Sequence, residues 1–114
     1  MRCDTTGGVK GERLGEFEEL LLLALQALPD DGRSVVAIQQ YLEDVTARGV
    51  SLGAIYAGLD RLELKGCVRS ELGDITRERG GKRKRLFTVT REGKRTAQEA
   101  RRVREAIWRT IEGR

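Results

Sequence analysis

The sequence predicts an α+β chain that is mostly helical. Three observations carry this. Apolar residues recur at helical spacing in four segments. Two short runs with β character flank a single basic, glycine-bearing stretch. The length, 114 residues, fits one small domain.

Residues 1–13 include Thr5, Thr6, Gly7 and Gly8 and read as a flexible N-terminal tail. The first helix is predicted over residues 16–28. Leu20 to Leu25 is apolar on nearly every side, so this helix is expected to be buried on more than one face. Glu16, Glu18 and Glu19 fall in its first turn, where the helix dipole favours acids. Pro29-Asp30-Asp31-Gly32 ends it. Ser34 is a fitting N-cap for a second helix over 35–48, with Ile38, Tyr41, Leu42 and Val45 as its stripe. Gly49 is its expected stop. Ser51 caps a third helix over 52–65, closed by Gly66, with the stripe Leu52, Ile55, Leu59, Leu62. Its opposite side is small in the first half: Gly53, Ala54, Ala57. Strands are expected at 67–72 and 85–89, where Leu86-Phe87-Thr88-Val89 has the β-branched and aromatic residues strands favour. A loop of about 12 residues joins them as a hairpin. Thr90 caps a last helix over 91–112, with Ala97, Ala100, Val103, Ile107 and Ile111 in line and Trp108 beside them.

Charge is unevenly distributed. The net charge is +4. Residues 1–60 hold 5 Lys+Arg against 10 Asp+Glu, and residues 61–114 hold 17 against 8. The densest run contains Arg77, Arg79, Lys82, Arg83, Lys84 and Arg85 around Gly80-Gly81, against Glu78 alone. Such a run is either a solvated loop or a surface for a polyanion. A phosphate backbone would relieve its self-repulsion by counterion release.

Several function classes lose their support. There is no His, so the commonest general base and metal ligand are missing. Cys3 and Cys67 are too far apart for a zinc finger or a CxxC motif, and a disulfide scaffold is not indicated. Cys67 reads as a small buried hydrophobe rather than a redox sensor. No phosphate loop, carboxylate pair or cofactor motif is present, so no enzyme, metal or cofactor is expected. No window approaches the ~20 apolar residues of a membrane span. The N-terminus lacks a secretory core, and a reduced, cytoplasmic location is expected.

The order helix, helix, helix, strand, basic tip, strand, long helix is that of a winged helix-turn-helix, and the last helix, which extends beyond any core this small could cover, is expected to be a C-terminal dimerisation helix. In that arrangement the third helix enters the DNA major groove and the basic wing meets the backbone or minor groove. The division expected is a tail over 1–13, a winged helix DNA-binding domain over 14–90 and a dimerisation helix over 91–114.

The residues also resemble a family. Ser51-Leu52-Gly53-Ala54-Ile55-Tyr56-Ala57-Gly58-Leu59-Asp60-Arg61-Leu62-Glu63-Leu64-Lys65-Gly66 resembles the recognition helix of PadR-type transcriptional regulators. Gly80-Gly81-Lys82-Arg83-Lys84-Arg85-Leu86-Phe87-Thr88-Val89-Thr90-Arg91-Glu92-Gly93 resembles their wing and entry to the last helix. Leu14-Gly15, Glu19 and the leucine run resemble their first helix. The resemblance covers residues 14–108. Two departures stand out: Ser34-Val35-Val36 replaces a frequent Tyr-Gly pair, and Phe87 replaces a usual Tyr. With one helix after the wing, the chain is similar to the short PadR subgroup. The resemblance implies a homodimeric regulator, usually a repressor, on a pseudo-palindromic double-stranded operator.

The candidate DNA-binding residues are then Ser51, Ala54, Tyr56, Arg61, Arg79, Lys82, Arg83 and Lys84. Ser51 is a cap first. Ala54 offers little beyond a thymine methyl contact, so specificity leans on DNA shape and wing arginines. Tyr56 is either a core-edge aromatic or a phosphate ligand through its hydroxyl. Arg61 either contacts phosphate or pairs with an acid elsewhere in the fold. Leu21, Leu25, Val103, Ile107, Trp108 and Ile111 are expected at the dimer interface. Trp108 either packs there or lines a cavity for a flat aromatic effector, as some PadR relatives do. The competing class is a protein-interaction adaptor whose basic wing binds an acidic partner.

Overall fold

A computed structural model of the chain describes residues 14–29, 33–75 and 83–114. In chain order the elements are α1 (Glu16–Ala27), α2 (Val35–Thr46), α3 (Leu52–Leu64), β1 (Val68–Ile75), β2 (Arg83–Val89) and α4 (Arg91–Glu112). The segments 1–13, 30–32 and 76–82 lie outside the described residues, and with them the expected tail and wing tip.

The caps explain the helix starts. Ser34, Ser51 and Thr90 each have extended backbone and accept, through the side-chain oxygen, the N–H three residues on. Each such bond satisfies one of the orphan donors of a first turn and is worth about 1 kcal/mol. At α1 the cap is Gly15, which has no side chain to offer. Instead the Glu18 carboxylate reaches back and accepts the Gly15 N–H at 3.0 Å.

Two helix ends differ from one another. α3 ends as expected at Gly66, whose φ of 78° is left-handed. Gly66 N–H donates to Glu63 O and Cys67 N–H to Leu62 O, which closes the last turn. For α2 the expected stop at Gly49 is corrected. The helix leaves through Ala47, a non-glycine residue at φ 58°, and Gly49 comes two residues later. Thr46 Oγ1 donates to Leu42 O at 2.7 Å, and the Ala47 N–H donates to Glu43 O, which holds this turn.

β1 and β2 form one antiparallel pair in the register Val68↔Val89, Ser70↔Phe87, Leu72↔Arg85, with an irregularity before Ile75↔Arg83. Both strands run further toward the tip than the 67–72 and 85–89 expected. The ladder is made by backbone groups, which pair whatever side chains they carry, so it extends beyond the residues that read as strand from the sequence. On its other edge β2 is joined to the chain before α2, where Phe87 N–H donates to Arg33 O at 3.4 Å.

α1 is the central helix and packs against α2, α3, α4 and β2. Leu21, Leu22 and Leu25 of α1 are fully buried, with Ile38, Ile55, Leu59, Leu62 and Phe87. Each such side chain contributes about 1.5–3 kcal/mol relative to exposure. This corrects one expectation. Leu21 and Leu25 are inside the protomer's own core and have no surface to offer a second copy. The large apolar residue that α1 exposes is Leu23.

Two glycines permit close approach. A Cβ on Gly58 would come within 2.5 Å of Leu21 Cδ1, so α3 sits tightly on α1 there. A Cβ on Gly93 would overlap the Cys67 carbonyl. The first turn of α4 therefore lies directly against the α3–β1 junction. Thr90 ties the same place, its N–H donating to Cys67 O and its Oγ1 to Gly66 O at 2.6 Å.

Candidate nucleic-acid interface

The presentation of α3 begins in α2. Gln39 Nε2 donates to Val50 O at 2.8 Å, and Glu43 Oε2 accepts from Val50 N–H at 2.9 Å. Two side chains one turn apart on α2 thus grip both backbone groups of the residue before the Ser51 cap. This ties the backbone at the entry of α3 to α2.

Ser51, Leu52, Gly53, Ala54, Tyr56, Ala57 and Asp60 are exposed, Leu52 at 39% in place of its expected position in the buried stripe, while Ile55, Gly58, Leu59 and Leu62 are buried. α3 therefore shows solvent a small-sided first half with Tyr56 at its edge. The Tyr56 side chain is 45% exposed, and it flanks the apolar stripe rather than filling the core. Small side chains allow a helix to sit deep in a groove, and its first-turn N–H groups suit a phosphate.

Arg61 follows one turn on, with 52% of its side chain exposed. Its Nε donates to Glu18 Oε2 at 2.8 Å, the pairing with an acid of the fold that was one of its two sequence readings. Lys65 Nζ donates to the other oxygen, Glu18 Oε1, at 2.6 Å. Glu18 is buried, with 6% of its side chain exposed. Burial alone would raise its pKa. The bonds from Lys65, Gly15 N–H and Arg61 outweigh that and hold it at about 2. Glu18 was expected as a first-turn dipole partner, and its place under α3 was missed. The available signal was Arg61 and Lys65, four apart on the side of α3 that carries Gly58 and Leu62.

The hairpin is tied to the end of the same helix. Arg85 Nη2 donates to Ser70 Oγ at 3.2 Å, and Ser70 Oγ donates to Glu63 Oε2 at 3.1 Å. The Arg85 guanidinium stands 5.7 Å from the Phe87 ring centroid, within cation–π range. Arg85 is thus a brace between wing and α3, a role its place in the basic run did not suggest. Arg83 and Lys84 belong to β2, and their side chains lie outside the described residues, as do Arg79 and Lys82 altogether.

On α4, Val103, Ile107, Trp108 and Ile111 are all exposed, with Trp108 at 58%. The first half of α4 packs on the domain through Gly93 and Ala97. One ion pair continues the contact, Arg104 Nη2 to Glu19 Oε1 of α1 at 2.8 Å. Past it the apolar side of the helix is bare. A groove of about 480 Å³ lies elsewhere, between α1, the end of α2 and the start of α3, lined by Phe17, Leu20, Leu42, Val50 and Ala54. Cys67 is buried, which pushes its thiol up, and it behaves as an apolar residue. No helix among the described residues is long and apolar enough to cross a membrane.

The sequence model of the Transcriptional regulator PadR-like family matches residues 24–99, which span α2, α3, the hairpin and the first turns of α4. The chain belongs to this family. Solved structures agree on the fold. A PadR-like transcription factor from Bacteroides fragilis superposes with a TM-score of 0.70 at 20% identity, covering 85% of this chain and 87% of that one. A putative transcriptional regulator from Thermoplasma acidophilum gives 0.66 at 19%, covering 82% and 87%. A PadR family regulator from Eggerthella lenta gives 0.65 at 22%, covering 86% and 84%. A search of curated proteins finds no match. This PadR-like chain is a DNA-binding transcriptional regulator with a winged helix fold, and not an enzyme.

Proposed function

We propose that this PadR-like regulator is a cytoplasmic homodimeric repressor that binds a pseudo-palindromic operator in double-stranded DNA. The observation that carries the reading is α3 itself. Its small-sided first half is open to solvent, and its entry is gripped by Gln39 and Glu43. Ser51, Ala54 and Tyr56 lie at the DNA. Arg79, Lys82, Arg83 and Lys84 bind the neighbouring backbone, and residues 14–90 form the DNA-binding unit.

Residues 91–114 form the dimerisation helix. The bare stripe Val103, Ile107, Trp108 and Ile111 supports this, since four exposed bulky residues in line on one helix call for a partner. Leu23 is the residue of α1 open to join it. Two copies of Trp108 brought together would create a flat apolar slot for a planar aromatic effector that releases the operator.

Selection of duplexes from a random pool by the full chain tests the reading. Enrichment of one motif with two-fold symmetry is the expected result. Failure to enrich any motif, with capture of acidic proteins instead, would put the adaptor reading in its place.

A further inference from the structure

α3 carries two cations at its last turns, Arg61 and Lys65, and both reach the same buried carboxylate on α1. Among the described residues Glu18 accepts three donors: Gly15 N–H at 3.0 Å, Lys65 Nζ at 2.6 Å and Arg61 Nε at 2.8 Å. Beside this cluster Gly58 lets α3 approach Leu21 and Phe17 of α1 closely. Energy alone does not account for such a site. A buried ion pair is often no more stabilising than apolar residues of the same size. What it adds is direction, because a carboxylate with three fixed donors admits one rotation and one slide of the helix, whereas Leu against Ile admits several.

We propose that Glu18 is a positioning residue for DNA recognition: it pins the far end of α3 to α1 and so sets where the reading end of α3 falls on each half of a two-fold site. The inference rests on the dimeric DNA-binding reading above. The lever is long. From Lys65 to Leu52 the helix runs about 20 Å at 1.5 Å per residue. A tilt of about 10° at the pinned end moves the reading end by about 3.4 Å, one base-pair rise. α1 also carries Glu19, which binds Arg104 of α4, one residue from Glu18. One turn of α1 therefore holds both the recognition helix and the long helix, and the separation of two recognition helices depends on it.

The test uses the full chain and duplexes whose half-sites are separated by spacers varied one base pair at a time. The readout is the ratio of Kd values between the best spacing and the next, with melting temperature measured in parallel. Glu18→Gln keeps an acceptor and removes the charge. Glu18→Gln/Lys65→Met removes the buried ion pair altogether and takes the place of the single variant if that one does not fold. Arg61→Ala, at a half-exposed side chain, loosens the site at the surface. The spacing ratio is expected to fall at least fivefold, on the order of a typical coupling between sites, in the Glu18 variants, and in the same direction with Arg61→Ala. A ratio within about twofold of wild type in every folded variant, whatever the melting temperature does, would overturn the proposal and leave Glu18 a stability element. If the wild-type chain itself prefers no duplex, the DNA reading fails first and the proposal falls with it. If it selects a spacing that the variants keep, only the proposal falls.

Discussion

Acid should weaken this fold through Glu18 in a way that one substitution removes. The carboxyl titrates at about 2 when folded, against 4.5 ordinarily. Between those values the unfolded chain binds a proton that the folded chain does not. Stability from this group is therefore complete above about pH 5 and lost as the pH falls through 4.5 to 2. The difference corresponds to about 3 kcal/mol at 1.36 kcal/mol per unit. The assay is urea unfolding followed by helical circular dichroism at several pH values from 5 to 2, at fixed protein concentration. Glu18→Gln, or Glu18→Gln/Lys65→Met if the single change unfolds the chain, should lose about 3 kcal/mol less than wild type across that window. Equal losses in wild type and variant would refute the reasoning and place the acid sensitivity in the surface carboxylates.

Other expectations follow from particular positions. Gly93→Ala puts a Cβ into the Cys67 carbonyl, where no rotamer relieves it, and should destabilise by about 2 kcal/mol net of the helix-propensity gain, seen as a fall in Tm. Ala47→Gly should raise stability by about 0.5 kcal/mol or more, because a left-handed Ala carries a penalty larger than the added chain entropy of Gly; no gain in chemical denaturation would contradict the α2 exit described. Ile107→Asp, at an exposed position, should leave the protomer folded but shift its mass in light scattering from dimer to monomer; an unchanged mass would remove α4 from the interface.

Much of the fold was legible because its punctuation is chemical. Ser34, Ser51, Thr90 and Gly66 mark boundaries through groups that satisfy orphan backbone donors and acceptors, and those boundaries stand. The strand ends were not legible, since the ladder is formed by backbone groups and need not stop where side-chain alternation does. Ala47 was hidden for a similar reason: a neighbouring glycine looked like the natural exit, but Thr46 and Glu43 hold the turn instead. Leu21 and Leu25 were correctly apolar but wrongly placed. A helix that is apolar on every side signals burial, and it was the surrounding α2, α3, α4 and β2 that buried it, without a second copy. At the interface, the small face of α3 was readable from side-chain size alone. The Glu18 cluster was not, because it joins residues 43 and 47 positions apart and each reads as surface charge by itself.

The central claim is that α3 and the basic hairpin read one DNA sequence. Fluorescence anisotropy with a selected duplex and a scrambled one, at two salt concentrations, tests it most directly. The account predicts a preference of about 10³-fold or more and steep salt dependence. It also predicts that neutralising Lys82, Arg83 or Lys84 lowers the salt slope by about one each. Equal, weak binding to both duplexes, lost at physiological salt, would contradict it.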